Sequence, residues 1–133
     1  MTVMLDTDIC IYTIKKKPPS VLKRLEMCQT GAVVMSAVTF AELMNGAKKS
    51  RWVDDNVRRL NALSELIEVL AFDRDAAVVY GDVRSDLEKR GLVIGGNDLF
   101  IAAHALSLGY PLVTNNQREF SRVKGLMIDN WLE

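Results

Sequence analysis

The segment MLDTDICIY, residues 4 to 12, places two carboxylates directly after a short apolar run and then returns to apolar residues. We predict a buried strand that ends at Asp6, followed by a helix from about Asp8. The helix must stop before Pro18 and Pro19, because proline cannot continue it. In a parallel sheet, ligands bind beyond the carboxyl ends of the strands, so Asp6 is expected at a functional edge.

The rest of the chain alternates apolar strands with helices. We predict helices at 20–28, 37–49 (capped by Ser36), 52–67, 75–90 (ended by Gly91) and 97–108, with strands at 32–35, 67–72, 111–114 and 126–128. Strands that are apolar without alternation favour a parallel sheet covered on both faces. At 133 residues and without a linker or repeat, the chain is expected to be a single domain over residues 1–133, an α/β/α sandwich around a mostly parallel sheet.

Composition excludes some classes of protein and leaves others open. Seventeen basic and seventeen acidic residues cancel, so no global positive field indicates a nucleic-acid partner. Basic residues do cluster locally, and a single cluster is more often the solvated face of a helix than a binding site. These clusters are 15–17, 23–24, 48–51 and 58–59. We find no signal peptide or membrane-length apolar run, and Cys10 and Cys28 lack metal-site spacing, so a cytoplasmic protein without membrane contact is expected.

Charge is absent from three long stretches except for isolated acids. Residues 1–14 carry only Asp6 and Asp8, residues 32–47 carry only Glu42, and residues 91–117 carry only Asp98. A carboxylate in an apolar segment is costly to bury unless it is paired, hydrogen-bonded or coordinating a cation. No Lys or Arg lies within these stretches to pair with them.

Each acid has a structural interpretation as well as a functional one. Asp8 and Asp98 would each suit the cap or first turn of a helix. Glu42 lies in mid-helix, where capping does not account for it. Together with Asp6, these acids suggest one carboxylate cluster that needs a divalent cation, and oxygen ligands favour Mg²⁺ or Mn²⁺ over zinc.

His104 is the only histidine and must be weighed as a general base. Six residues of helix turn through about 600°, which leaves His104 about 120° away from the face of Asp98. We therefore interpret it as a packed or hydrogen-bonded core residue, which argues against a Ser-His-Asp or Cys-His mechanism.

Four segments carry a resemblance to a known family: MLDTDICIY, SAVTFAELMNGA, IGGNDLFIAAHA and LVTNNQREFSRVKGL. In this order they resemble the signature segments of PIN-domain ribonucleases and, more narrowly, of VapC toxins from bacterial VapBC toxin–antitoxin pairs. The resemblance implies an α/β/α sandwich, a homodimer, and Mg²⁺- or Mn²⁺-dependent endonucleolytic cleavage of RNA. The RNA is often tRNA, including initiator tRNA. It also implies a VapB antitoxin that blocks the site and through which the pair binds operator DNA.

The family pattern carries over to individual residues of this chain. Asp6, Glu42 and Asp98 match its metal-binding acids, and Thr7 matches a hydroxyl position beside the first acid. These three acids are also the expected catalytic residues.

Two positions depart from the family pattern. Asp8 stands where members commonly have Asn, so it is not expected to be a ligand. Asn116 stands where many members carry Asp, with Glu119 three residues further on. The fourth ligand is therefore either Glu119 or Asn116, the latter through its carbonyl oxygen or a water.

Two alternatives stay open at this point. The DTD segment also resembles the start of haloacid-dehalogenase-type phosphatases, although we find neither a matching catalytic Lys nor a late acidic pair. A second alternative is a non-catalytic, receiver-like or PIN-like domain that only binds a protein partner, which the absence of a fourth Asp would suit.

Overall fold

The sheet begins at β1 (Val3–Leu5), where Met4 and Leu5 are both completely buried. Consecutive side chains of a strand point to opposite faces, so this strand must be covered on both sides. Met4 packs in one hydrophobic cluster and Leu5 in the other. The computed structural model describes residues 1–132.

Five strands form one sheet in the order β3-β2-β1-β4-β5, and every neighbouring pair is parallel. The remaining strands are β2 (Val33–Ser36), β3 (Glu68–Leu70), β4 (Leu112–Val113) and β5 (Ile128–Asp129). The predicted α/β class and parallel sheet are confirmed. The last strand begins two residues later than the predicted 126–128.

Helices cover both faces of the sheet. They are α1 (Thr7–Lys15), α2 (Pro19–Glu26), α3 (Ala37–Lys48), α4 (Val53–Leu66), α5 (Arg74–Arg90), α6 (Gly96–Leu108) and α7 (Gln117–Phe120). The large apolar side chains that are fully buried in α1 to α4 belong to the Leu5 cluster, and those of α5 to α7 belong to the Met4 cluster. Among residues 1–132, no helix is long and apolar enough to cross a membrane.

Local signals explain most helix ends. Ser36 caps α3 as predicted, its Oγ accepting a hydrogen bond from the Val38 N–H at 3.1 Å. Gly91 ends α5 in the left-handed conformation, as predicted. The short helix α7 was not predicted, because four residues show too little periodicity.

The chain leaves β1 and β4 towards opposite faces of the sheet. After β1 it enters α1, which packs in the Leu5 cluster, and after β4 it enters α7, whose Phe120 packs in the Met4 cluster. Neighbouring parallel strands whose connections diverge in this way open a crevice at their carboxyl ends. Asp6 follows β1 and Thr114 follows β4, so both lie at this crevice.

Candidate active site at the carboxyl edge of the sheet

Asp6 is anchored at the crevice by two hydrogen bonds. One carboxylate oxygen accepts from the Thr7 N–H at 2.7 Å, and the other accepts from the Thr114 hydroxyl at 2.7 Å. The residue is only 5% exposed. Burial, followed by the charge of Asp8, raises the pKa of Asp6 to about 7 even though both hydrogen bonds act in the opposite direction. The residue is therefore held in place at an electrostatic cost that a cation would relieve.

Asp8 lies in the first turn of α1 beside Asp6. The helix begins at Thr7 rather than at the predicted Asp8, because Asp6 is its N-cap. The two Asp8 carboxylate oxygens accept from the Ile9 N–H at 2.7 Å and from the Asn115 N–H at 3.1 Å. Asp8 thus ties α1 to the loop after β4, and burial raises its pKa.

Glu42 reaches the same edge from α3. Its Oε1 accepts from the Thr7 hydroxyl at 2.6 Å, and its Oε2 accepts from the Asn97 side-chain amide at 3.2 Å. Thr7, which directly follows Asp6, is therefore hydrogen-bonded to Glu42. This mid-helix carboxylate is oriented by helices α1 and α6 and has no capping role.

Asp98 lies in the first turn of α6, which begins at Gly96 after the N-cap Gly95. A Cβ at Gly95 would lie 3.4 Å from an Asp98 carboxylate oxygen, so this side chain folds back over the start of its own helix. Burial raises the pKa of Asp98 to about 6. That value includes smaller contributions, after burial, from the charges of Glu42, Glu119 and Asp8, in that order. The acids from four separate segments therefore act on one another electrostatically.

The segment after β4 contributes Asn116 and Glu119. The Asn116 N–H donates to the Thr114 hydroxyl oxygen at 2.9 Å, and its side-chain amide donates to Glu119 Oε2 at 3.2 Å. Asn116 therefore links Glu119 to the side chain that anchors Asp6. We call the five carboxylates gathered here, Asp6, Asp8, Glu42, Asp98 and Glu119, the acidic edge.

His104 is a core residue, in agreement with the prediction from its helical position. It is 2% exposed, and its Nδ1 lies 2.8 Å from the Ser36 hydroxyl oxygen. The same hydroxyl oxygen accepts from the Val38 N–H, so His104 is hydrogen-bonded to the residue that caps α3. Burial lowers the pKa of His104, so the ring is held neutral and away from the acidic edge.

Two polar residues of the site were not singled out from the sequence, namely Thr114 and Asn97. Thr114 ends an apolar strand segment in the same way that Asp6 does, so its strand-end position was an available signal. Asn97 directly precedes Asp98 at the start of a helix. Both became recognisable only once the topology placed them against Asp6 and Glu42.

The comparisons with known proteins agree with this geometry. The model of the PIN domain family matches residues 3–126. The chain belongs to the PIN-domain family. A Rickettsia felis relative, "Ribonuclease VapC2", is 39% identical over 132 residues, 98% of each chain. A Shigella flexneri relative, "tRNA(fMet)-specific endonuclease VapC", is 44% identical over 128 residues, 96% of each chain.

A solved structure extends the likeness to the whole PIN domain. The crystal structure of VapBC2 from Rickettsia felis, bound to a DNA fragment from their promoter, matches with a TM-score of 0.91 at 39% identity. The match covers 98% of this chain and 99% of that chain. The resemblance to PIN-domain ribonucleases, and more narrowly to VapC, is confirmed. The family match also removes the haloacid-dehalogenase-type alternative.

The carboxylates of the acidic edge are the kind of oxygen group that a hard divalent cation prefers. Within residues 1–132, no three His, Cys, Asp or Glu side chains form a ready-made metal cage. Mg²⁺ does not require one, since it usually keeps several waters and binds protein through one or two carboxylates. The raised pKa values of Asp6 and Asp98 fit such a site, because a cation would offset the burial and the mutual repulsion that raise them.

Proposed function

We propose that this PIN domain is a divalent-metal-dependent endoribonuclease that hydrolyses RNA phosphodiester bonds. The observation that carries the proposal is the acidic edge itself. Five carboxylates meet at the crevice of the sheet, and two of them, Asp6 and Asp98, have pKa values raised to about 7 and about 6. Such a surface repels a phosphodiester unless a cation is bound among these carboxylates.

Asp6 and Asp98 would hold Mg²⁺ or Mn²⁺, with Glu42 and Glu119 binding directly or through water. The bound cation would supply an activated water and neutralise negative charge on the phosphate. The protein side chains supply the positioning. Thr114 and the Thr7 N–H hold Asp6, and the Thr7 hydroxyl and Asn97 hold Glu42.

Glu119 is our choice for the fourth acid. Its charge contributes to the raised pKa of Asp98, which places it within electrostatic reach of the site. Asn116 donates its amide to Glu119, an arrangement that suits a residue orienting a ligand.

We further propose tRNA as the substrate class and a VapB-type antitoxin as the partner. The Shigella flexneri relative is named as a tRNA(fMet)-specific endonuclease, and the Rickettsia felis structure is a VapBC complex on promoter DNA. As the family resemblance implies, this chain would be a homodimer that meets operator DNA only through its antitoxin. The antitoxin would inhibit by placing an Arg or Lys side chain among the acids, where its charge replaces that of the metal.

The deciding experiment incubates the purified chain, free of partner, with total RNA. We expect a few discrete fragments with Mg²⁺ or Mn²⁺, none in excess EDTA, and recovery when the metal is restored. Equal cleavage in EDTA would rule out the metal mechanism. A folded chain that cuts nothing with either metal would instead support the alternative of a non-catalytic binding domain.

A further inference from the structure

A groove of about 450 Å³ leads away from the acidic edge between α1, α3 and α4. Thr7 and Glu42 line one end, and Ser50, Asn56 and Arg59 line the other. The floor between them is largely apolar, formed by Ile11, Ile14, Leu43, Ala47 and Leu60. The groove thus joins the candidate active site to the turn between α3 and α4.

An exposed tryptophan stands at that turn. Trp52 is 64% exposed, and the Arg51 guanidinium carbon lies 5.0 Å from the centre of its ring. The turn is held against the groove end by a hydrogen bond of 2.8 Å from the Asn56 side-chain amide to the Ser50 hydroxyl. An exposed indole ring next to a guanidinium offers a face on which a nucleic-acid base can stack.

The segment around this tryptophan carries an excess of positive charge in a chain whose net charge is zero. Residues 48–59 contain five Lys or Arg and two Asp. We call this region the α3–α4 corner, made of Lys48, Lys49, Arg51, Trp52, Arg58 and Arg59. Asp55 pairs with Arg58 and Arg59, whereas no ion pair within residues 1–132 uses Lys48, Lys49 or Arg51. Three cations therefore remain available next to an exposed ring.

We propose that the α3–α4 corner is an RNA-binding platform. Trp52 stacks on an unpaired base, Lys48, Lys49 and Arg51 contact phosphates, and the strand runs along the groove to the acidic edge. Stacking of bases on aromatic rings next to basic side chains that contact the phosphates is how proteins bind single-stranded nucleic acid. The acidic edge alone repels RNA, so a positive surface at the other end of the groove supplies the attraction. This inference rests on the proposed function, because it assumes that RNA bound at the corner is cleaved at the acidic edge.

The test measures binding and cleavage separately. Binding of total tRNA and of an unstructured RNA oligonucleotide is measured in EDTA for wild type, Trp52→Ala, Trp52→Phe and the double variant K48A/K49A. We expect Trp52→Ala to weaken binding by about 5- to 100-fold and Trp52→Phe by less than about 3-fold. The double variant should reduce the slope of log K against log salt by about 1 to 2.

Matched controls lie elsewhere on the surface. Leu66→Ala removes another exposed apolar side chain, at the last residue of α4, the helix that Trp52 precedes, and Lys89→Ala removes a surface cation of α5. Both should bind RNA as wild type does. In cleavage assays with Mg²⁺, Trp52→Ala should raise KM and leave kcat within about 2-fold, because the platform binds substrate without touching the reacting bond. Thermal melts of each variant confirm that it is folded.

The outcomes separate this inference from the proposed function. If wild type does not cleave RNA but its binding still depends on Trp52, the proposed function is wrong and the platform stands. If Trp52→Ala binds and cleaves RNA like wild type, the platform is wrong whatever the catalytic result. Loss of binding to a co-expressed protein partner with RNA binding unchanged would assign the corner to that partner and overturn the proposal.

Discussion

One groove begins at the acidic edge and ends beside the α3–α4 corner, with Arg59 as the corner residue that lines it, and the two regions place charge in opposite ways. At the acidic edge, Asp6 is nearly buried and its pKa is raised to about 7. At the corner, Arg58 and Asp55 have side chains that are 77% and 52% exposed. A carboxylate is therefore buried at the acidic edge, whereas the charged side chains of the corner are exposed to water. The first arrangement destabilises the fold unless a ligand compensates, whereas the second has little effect on stability.

The largest expected effect comes from removing one charge at the acidic edge. Asp98→Asn should reduce RNA cleavage by more than about 100-fold, because a lost carboxylate weakens metal binding and misplaces the attacking water. The fold should be at least as stable in EDTA, since the change removes a partly buried charge and its repulsion with the neighbouring acids, the two causes that raise the pKa of Asp98. Asn also remains compatible with the first turn of a helix.

Thermal melts and cleavage assays on one preparation of Asp98→Asn check both expectations. The matched control is Asp75→Asn, which removes an exposed acid from the first turn of α5 and should leave cleavage unchanged. A lowered melting temperature with full activity per folded molecule would show that Asp98 is structural.

Glu119→Gln is expected to have the next largest effect, a loss of about 10- to 100-fold in cleavage. Its carboxylate acts on Asp98 through charge, which the amide cannot reproduce. Asn116→Ala is the paired variant, because it removes the hydrogen bond to Glu119 and keeps the acid. If Glu119→Gln loses only a few-fold while Asn116→Ala loses more, Asn116 is the fourth ligand and our choice is wrong.

The two ends of the groove also differ in how far the sequence predicted them. Each of three acids was recognisable because it interrupts a long neutral stretch, where a carboxylate is costly to bury unless it is paired, hydrogen-bonded or bound to a cation. These acids are Asp6, Glu42 and Asp98. The basic residues near Trp52 looked like any solvated helix face, and only the exposed ring and the continuous groove set them apart. Thr114 was missed because its role depends on the β1–β4 pairing, a contact across more than a hundred residues that local pattern does not contain.

The pH dependence of stability should reveal the strain at the acidic edge. Folding raises the pKa of Asp6 from 3.8 to about 7 and that of Asp98 from 3.8 to about 6. Between about pH 4 and about pH 7, the folded state therefore binds more protons than the unfolded state. The free energy of unfolding contributed by these groups falls as pH rises through this window. In EDTA, we expect the melting temperature of the wild type to fall more with rising pH than that of Asp6→Asn.

The comparison with Asp6→Asn is needed because His104 acts in the opposite direction. Burial lowers its pKa, so its contribution to stability rises with pH. The difference between the two proteins cancels that contribution. Added Mg²⁺ should stabilise the wild type most at the alkaline end, where its ligands are ionised. Identical pH profiles for wild type and Asp6→Asn would contradict the raised pKa of Asp6.

The smallest expected effect comes from removing an acid at the α3–α4 corner. Asp55 lies 3.2 Å from Arg59 and 3.9 Å from Arg58, in pairs that are more than half exposed, so Asp55→Asn should change stability by less than about 1 kcal/mol. RNA binding should tighten by about 2- to 5-fold at low salt, because one repulsive charge is lost and two guanidinium groups are released to phosphates. Since salt screens exposed charges, the gain should fade at high salt. Asp75→Asn again serves as the control, with a similar stability change and unaltered RNA affinity. Weaker binding by Asp55→Asn would mean that Asp55 orients Arg58 and Arg59 for contact, and the corner would then act through fixed geometry in place of simple attraction.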